Sequence, residues 1–167
     1  RIDFRRYEDV DAIIIMEMGE QVGIEVFSIR GGFSYGGKIY FPSKTEGESL
    51  QNVLSFFLMR HYLEGEVPKN IVINIEHEDI KTLKEAIALK AEKQVKLFTP
   101  LKGEFLDLIN FAKTNLEEKL EKKTMAVAKI KENLMELKTL LSLSSTPKRI
   151  EVYDNSHTSG SFMLGAM

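Results

Sequence analysis

The run Ala12-Ile13-Ile14-Ile15-Met16-Glu17-Met18 decides how the rest of the chain is read. It is almost continuously apolar and rich in β-branched side chains, the pattern of a strand buried on both faces rather than one. Such a strand is central to its sheet and needs cover on two sides. Before it lies a charged lead, Arg1 to Asp11, and after it Gly19-Glu20 reads as a turn. A second strand runs from Gly23 to Arg30, and Gly31-Gly32 supplies the positive φ of a tight hairpin. A third runs from Phe33 to Phe41, with Gly36-Gly37 as a bulge or kink and Pro42 closing it for want of an N–H.

The hydrophobic period then changes. From Gly47 to Glu64 the residues Leu50, Val53, Leu54, Phe57, Leu58 and Met59 fall at helical spacing, with Ser49 or Thr45 as the cap and Gly65 and Pro68 past the end. Ile71 to Ile75 reads as a fourth strand, Asp79 to Ala91 as an amphipathic helix, and Val95 to Thr99 as a fifth strand. Pro100 and Gly103 precede a long helical pattern that starts at Glu104 and returns, after Lys122-Lys123, as Ile130, Leu134, Leu137 and Leu141. A helix of that length outruns a small core. It either breaks between Lys122 and Thr124 or packs its second half on something else. Ser142 to Pro147 is a polar connector.

Composition narrows the class. At 167 residues and 43% hydrophobic, the chain can bury one good core plus an appended arm. A net charge of -2 excludes a whole-chain electrostatic nucleic-acid binder and leaves room only for a local basic strip. With no cysteine and three scattered histidines there is no disulfide, thiol chemistry or zinc constellation, which fits a reducing cytoplasm. No apolar run approaches the length of a membrane span, and no secretory leader pattern occurs.

Three antiparallel strands followed by helix, strand, helix, strand, helix around one mixed sheet resemble the ribonuclease H-like α/β fold. Nucleases of that fold hold two metal ions on carboxylates, the first in the middle of the first strand. Here that middle is Ile14-Ile15-Met16. The nearby candidates are Glu17, Glu76 with Asn74 at the end of the fourth strand, and Glu48 at the start of the first helix. A degenerate site is the expectation for residues 1 to 140.

The stretch with the most chemistry is Arg149-Ile150-Glu151-Val152-Tyr153-Asp154-Asn155-Ser156-His157. Its alternation reads as a strand that puts Asp154 on the same face as Ile150 and Val152, a rigid placement suited to a divalent cation. The plainer reading makes Asp154-Asn155-Ser156 a strand-ending turn. The same stretch, with Gly160, is similar to the Arg-Ile-Glu-x-Phe-Asp-Ile-Ser-His-x-x-Gly of the UvrC family, the excinuclease subunits of bacterial nucleotide excision repair. Ile29-Arg30-Gly31-Gly32, Phe57 to Tyr62 before Val67-Pro68, and Pro100-x-x-Gly103 leading to Ala112-x-x-Asn115 extend the resemblance over nearly the whole chain. Tyr153 and Asn155 depart from the family's phenylalanine and isoleucine, both mildly.

The resemblance implies that residues 1–145 form a catalytically silent ribonuclease H-like module with a long helix. Residues 146–167 would then be the first strands of the nuclease that makes the 5′ incision, with Asp154 as its first catalytic and metal-binding acid. It implies Mg²⁺ or Mn²⁺ in the complete nuclease, held also by an aspartate and a histidine from beyond Met167, and none in this piece. UvrB and damaged double-stranded DNA are the implied partners. His157 follows Asp154 by three residues, so its side chain need not converge on the same ion, and it reads as a structural hydrogen-bonding residue. Two other classes remain. The apolar stripe of Lys129 to Leu141 suits pairing with another helix, and Lys113, Lys119, Lys122, Lys123, Lys129 and Lys131 suit a DNA path, although interleaved glutamates favour a solvated face. Arg30 reads as a hairpin residue. With its sheet partners missing, the tail is expected to be flexible or to add to a strand of a neighbouring molecule, and self-association through tail or helix follows from that.

Overall fold

The first strand, β1, spans Asp9–Met18, three residues longer at its start than the apolar run alone predicts. The extension has a partner on each side: Asp9 pairs with Arg30 of β2 (Gln21–Arg30), and Val10 with Asn70 of β4 (Asn70–Ile73). The residues from Val10 to Ile15 are all buried. β3 (Phe33–Tyr40) completes the antiparallel meander. Its pairing with β2 jumps between Ser28 and Ile29, which leaves Tyr35 without an opposite number beside Gly36 at φ 79°, the bulge foreseen there.

A computed structural model describes residues 3–43, 45, 47–158 and 162–166, with the backbone alone for 154–158 and 162–166. It places five strands in the order β3-β2-β1-β4-β5, where β5 is Lys96–Phe98 and β1, β4 and β5 run parallel. The chain falls into two units, Arg1–Met125 and Ala126–Met167.

In the first unit the two faces of the sheet have separate covers. Ile13, Ile15, Ile24, Ile71 and Ile73 face α1 (Leu50–Glu64) and α2 (Ile80–Ala91), which contribute Leu54, Leu58, Tyr62, Leu83 and Ile87. Ser49 caps α1 by accepting the Asn52 N–H at 3.1 Å. The other face, with Val10, Ala12, Ile14, Phe27, Ile29 and Val72, is covered by Leu108, Ile109, Ala112 and Leu116 of α3 (Glu104–Leu140). The helix comes close enough that a Cβ on Gly23 would meet the Leu116 and Leu120 methyls at 2.9 and 3.3 Å. Truncating a core residue such as Leu54, at 0% exposure, would cost about 2–5 kcal/mol.

α3 runs unbroken through Lys122-Lys123-Thr124, so the first of the two sequence alternatives is not taken. No glycine or proline interrupts residues 104–140, and α-helix is the default for such a segment. Its buried residues stop at Leu120. In the second unit, β6 (Asp154–Thr158) pairs antiparallel with β7 (Phe162–Ala166) from Asp154↔Ala166 to Thr158↔Phe162. Two expectations are corrected here. The strand begins at Asp154 rather than Arg149, and Ile150, Val152 and Tyr153 are exposed. Asn155 and Ser156 lie within that strand and do not form a strand-ending turn. The two tail strands pair with each other.

Candidate functional site

In an α/β sheet of this kind ligands gather at the carboxyl ends of the parallel strands. At those ends, Asn74 follows β4 and spends its amide on the neighbouring strand. Its Oδ1 accepts the Ile15 N–H at 2.8 Å and its Nδ2 donates to the Ile15 carbonyl at 2.9 Å. The side chain thus extends the β1–β4 ladder by one peptide-like rung, which turns its amide oxygen to the Ile15 N–H. Glu17 and Glu76 are both exposed. Glu48 is exposed as well and accepts the Asn52 side-chain amide at 3.1 Å. Glu17 and Glu48 line one cavity of about 680 Å³ with Glu20, Thr45 and Lys123, and Glu76 is not among its lining residues. Among the described residues no three His, Cys, Asp or Glu side chains come together as a metal-holding group. This donor set does not fit the two-metal centre that the fold class carries in its nucleases, because the carboxylates do not converge and the one strand-end amide is engaged.

A buried acid on β1 does exist, but at the opposite end of the strand. Asp11, which the sequence pattern assigns to the charged lead, is 1% exposed on the α1 face. Its Oδ1 accepts from the Ser28 hydroxyl at 2.7 Å and from Arg30 Nη1 at 2.8 Å, and its Oδ2 from the Tyr62 hydroxyl at 2.8 Å. Burial first, and the Asp11 charge next, hold the Tyr62 phenol well above its ordinary pKa, so it stays a donor. The same Arg30 group also donates to the Val10 and Ile29 carbonyls at 3.2 and 3.0 Å, and Nε stands 3.3 Å from Asp9 Oδ1. A guanidinium occupies the place that a cation would take between two carboxylates. Arg30 is therefore a structural residue of the β1–β2 pair, as its place before Gly31-Gly32 suggested.

Ser55 on α1 and His77 after β4 form a pair with the outline of a nucleophile and its base: the Ser55 Oγ lies 2.7 Å from His77 Nε2. The hydrogen-bond directions argue against that role. Nδ1 accepts the Asp79 N–H at 3.1 Å, which leaves the ring hydrogen on Nε2, and Nε2 lies 3.0 Å from the Gln51 carbonyl. A nitrogen that carries a proton cannot take one from serine. Ser55 meanwhile donates to Gln51 O at 3.0 Å, and the ring staples α1 to the loop that starts α2.

Sequence comparison adds the family. The description "UvrC Ribonuclease H-like domain" matches residues 9–123, from the first residue of β1 to within two residues of the end of the first unit. The chain belongs to the UvrC ribonuclease H-like domain family. The UvrABC system protein C of Rhodopseudomonas palustris BisB18 is 37% identical over 166 residues, 99% of this chain and 24% of the relative. Those of Rickettsia africae and Paramagnetospirillum magneticum are 38% and 34% identical over 161 residues, 96% of this chain in each case and 25% and 26% of the relatives. The chain thus spans about a quarter of the length of the curated relatives it matches.

For the UvrC ribonuclease H-like domain the matched segment holds the whole five-stranded sheet and ends before Asp154. Asp154 opens β6, with Ala166 opposite it, and His157 lies three residues on, opposite Met163. The side chains of both, and the whole of Gly160, lie outside the described residues. Sequence reasoning missed Asp11, Tyr62, Ser55 and His77. One signal was available for the first: Asp9 and Asp11 share the parity of Ile13 and Ile15, so the alternation of β1 extends back through them.

Proposed function

We propose that this chain is a non-catalytic ribonuclease H-like module of a UvrC-type subunit of bacterial nucleotide excision repair. On this reading it is followed by the start of the nuclease that, with UvrB, makes the 5′ incision in damaged double-stranded DNA. Residues 1–145 are the silent module and residues 146–167 the opening strands of the active one. The observation that carries the silent half is Asn74: where a nuclease of this fold would keep a strand-end ligand, the side chain is consumed by the backbone of Ile15. The rest is supported by membership of the UvrC ribonuclease H-like domain family and by relatives named UvrABC system protein C.

In this reading Asp154 is the first acid of the active centre, completed by ligands from beyond residue 167. Mg²⁺ or Mn²⁺, when bound there, polarises the scissile phosphate and lowers the pKa of the attacking water. The setting is the cytoplasm, and no helix among the described residues is long and apolar enough to cross a membrane. A helix-mediated contact is the alternative. Val127, Ile130, Leu134 and Leu137 step along α3 by three and four, and Ile130 is 57% exposed. The phosphate-path alternative is weakened by Lys129, which is engaged with Glu132 at 2.8 Å.

The test uses the full-length protein with UvrB and a duplex carrying one lesion. Asp154→Ala should abolish the 5′ incision at any Mg²⁺ or Mn²⁺ concentration, while Glu17→Gln and Glu76→Gln should leave its rate within about twofold. Retained incision in Asp154→Ala, or loss of it in Glu17→Gln, would reverse the assignment of the two modules.

A further inference from the structure

Glu25 stands in the middle of β2 at 1% exposure, on the face that α3 covers. The residues opposite it in the neighbouring strands are Ile14 of β1 and Ile39 of β3, both in the apolar layer beneath the helix. Its carboxyl lies across the bare Cα of Gly37, where a Cβ would collide with Oε1. The Asn115 side chain of α3 favours its ionised form, while Oε2 has no hydrogen-bond partner. Ile14, Ile39, Gly37 and Asn115 carry no ionisable group, and the influences on the carboxyl are burial and Asn115. A carboxylate in this place would be a buried charge solvated by one amide, whereas the neutral acid can both donate and accept. Burial pushes its pKa up from 4.5 to about 7, with Asn115 pulling the other way.

The sheet closes three sides of this carboxyl with backbone ladders and isoleucines. The fourth side is α3, held by side-chain packing. Hydrating an ionised Glu25 therefore costs least by lifting the helix. We propose that Glu25 is a proton-operated latch between the sheet and α3: the neutral acid, buried beneath the helix, keeps the segment from Leu108 to Leu120 seated, and loss of its proton to solvent loosens that segment. The latch belongs to the first unit and does not depend on the nuclease reading of Asp154.

Amide hydrogen exchange on the whole chain, corrected for intrinsic rates, tests it between about pH 6 and about pH 8.5. The raised pKa makes the seated helix bind more protons than the released one, so opening becomes easier as pH rises. Opening of the 108–120 amides should increase about tenfold over this interval, with little change in β1 and β4. Glu25→Gln, which has the same shape and never ionises, should abolish the increase. A flat wild-type profile overturns the latch, as does an equal increase in β1 and β4, or an increase that survives in Glu25→Gln. Should the variant fail to fold, titrating the Glu25 carboxyl carbon by NMR decides the matter in the unaltered chain. A midpoint near 7 that moves together with the Asn115 side-chain amide supports the latch, and one near 4.5 overturns it.

Discussion

Two carboxylic acids, Asp11 and Glu25, are equally buried on opposite faces of the same sheet, each 1% exposed, and the protein treats them in opposite ways. Asp11 meets a hydroxyl, a phenol and a guanidinium, so both of its oxygens are bonded. Glu25 meets one amide and keeps an orphan oxygen. The difference lies in what each face can offer. Arg30 reaches Asp11 from the last residue of β2 and Tyr62 from the last turn of α1, where long polar side chains can fold inward with their stems on the core. Glu25 sits at mid-strand beneath a helix whose buried contact residues are apolar, and burial and Asn115 are the influences on its carboxyl. A buried acid can be matched by charge or kept neutral by its surroundings. This sheet does one on each face.

The contrast is broken most severely by removing the cation. Arg30→Ala should destabilise the chain by about 3 kcal/mol, read as the fall in the urea midpoint at constant slope, because it leaves Asp11 buried and short of its charge partner. Arg30→Lys should recover only part of this loss. An ammonium cannot span Asp9, Asp11 and two backbone carbonyls as the fork of Arg30 does. A cost under about 1 kcal/mol for Arg30→Ala would mean that Asp11 is not held by charge, and the two faces would be alike.

A smaller effect sharpens the other side of the contrast. Gly37→Ala adds one methyl group where Glu25 Oε1 lies, in a backbone conformation that any residue can adopt. Displacing the acid from its seat should cost about 1–3 kcal/mol. In a Glu25→Ala background the same change should cost almost nothing, so a double-mutant cycle should show a coupling of about 1 kcal/mol or more. Equal costs in both backgrounds would place the strain in β3 itself and remove Glu25 from the account.

Most of the sheet and its covers can be read from local pattern alone: the apolar run of β1, the Gly31-Gly32 hairpin, the bulge at Gly36, and the helical steps from Leu50, Ile80 and Glu104. What could not be read is what depends on partners far apart in sequence. The start of β1 at Asp9 is set by Arg30 and Asn70, residues far along the chain, and a window of charged residues gives no sign of either. The sequence places Asn74 near the end of the fourth strand, but its use as a ladder rung depends on the N–H and C=O of Ile15 across the sheet. Ile150 and Val152 show the converse. They alternate with Glu151 and Tyr153, yet the strand begins only at Asp154. Periodicity reports which way side chains would point in a strand, and the ladder decides whether there is one.

The smallest predicted effect concerns Glu17, an acid of the same sheet that is exposed at the far end of β1. If burial, and not position in the fold, decides what an acid does here, Glu17→Gln should change the stability by no more than about 0.5 kcal/mol. It should also leave a calorimetric titration with Mn²⁺ unchanged. A divalent ion needs several oxygens converging at roughly 2.0–2.6 Å, and at this end Asn74 is bonded to Ile15 while Glu48 is bonded to Asn52. A tight manganese site that disappears with Glu17→Gln would show that the strand ends converge on a metal after all. The silent module would then hold a third kind of acid, matched neither by arginine nor by its own proton but by a metal ion.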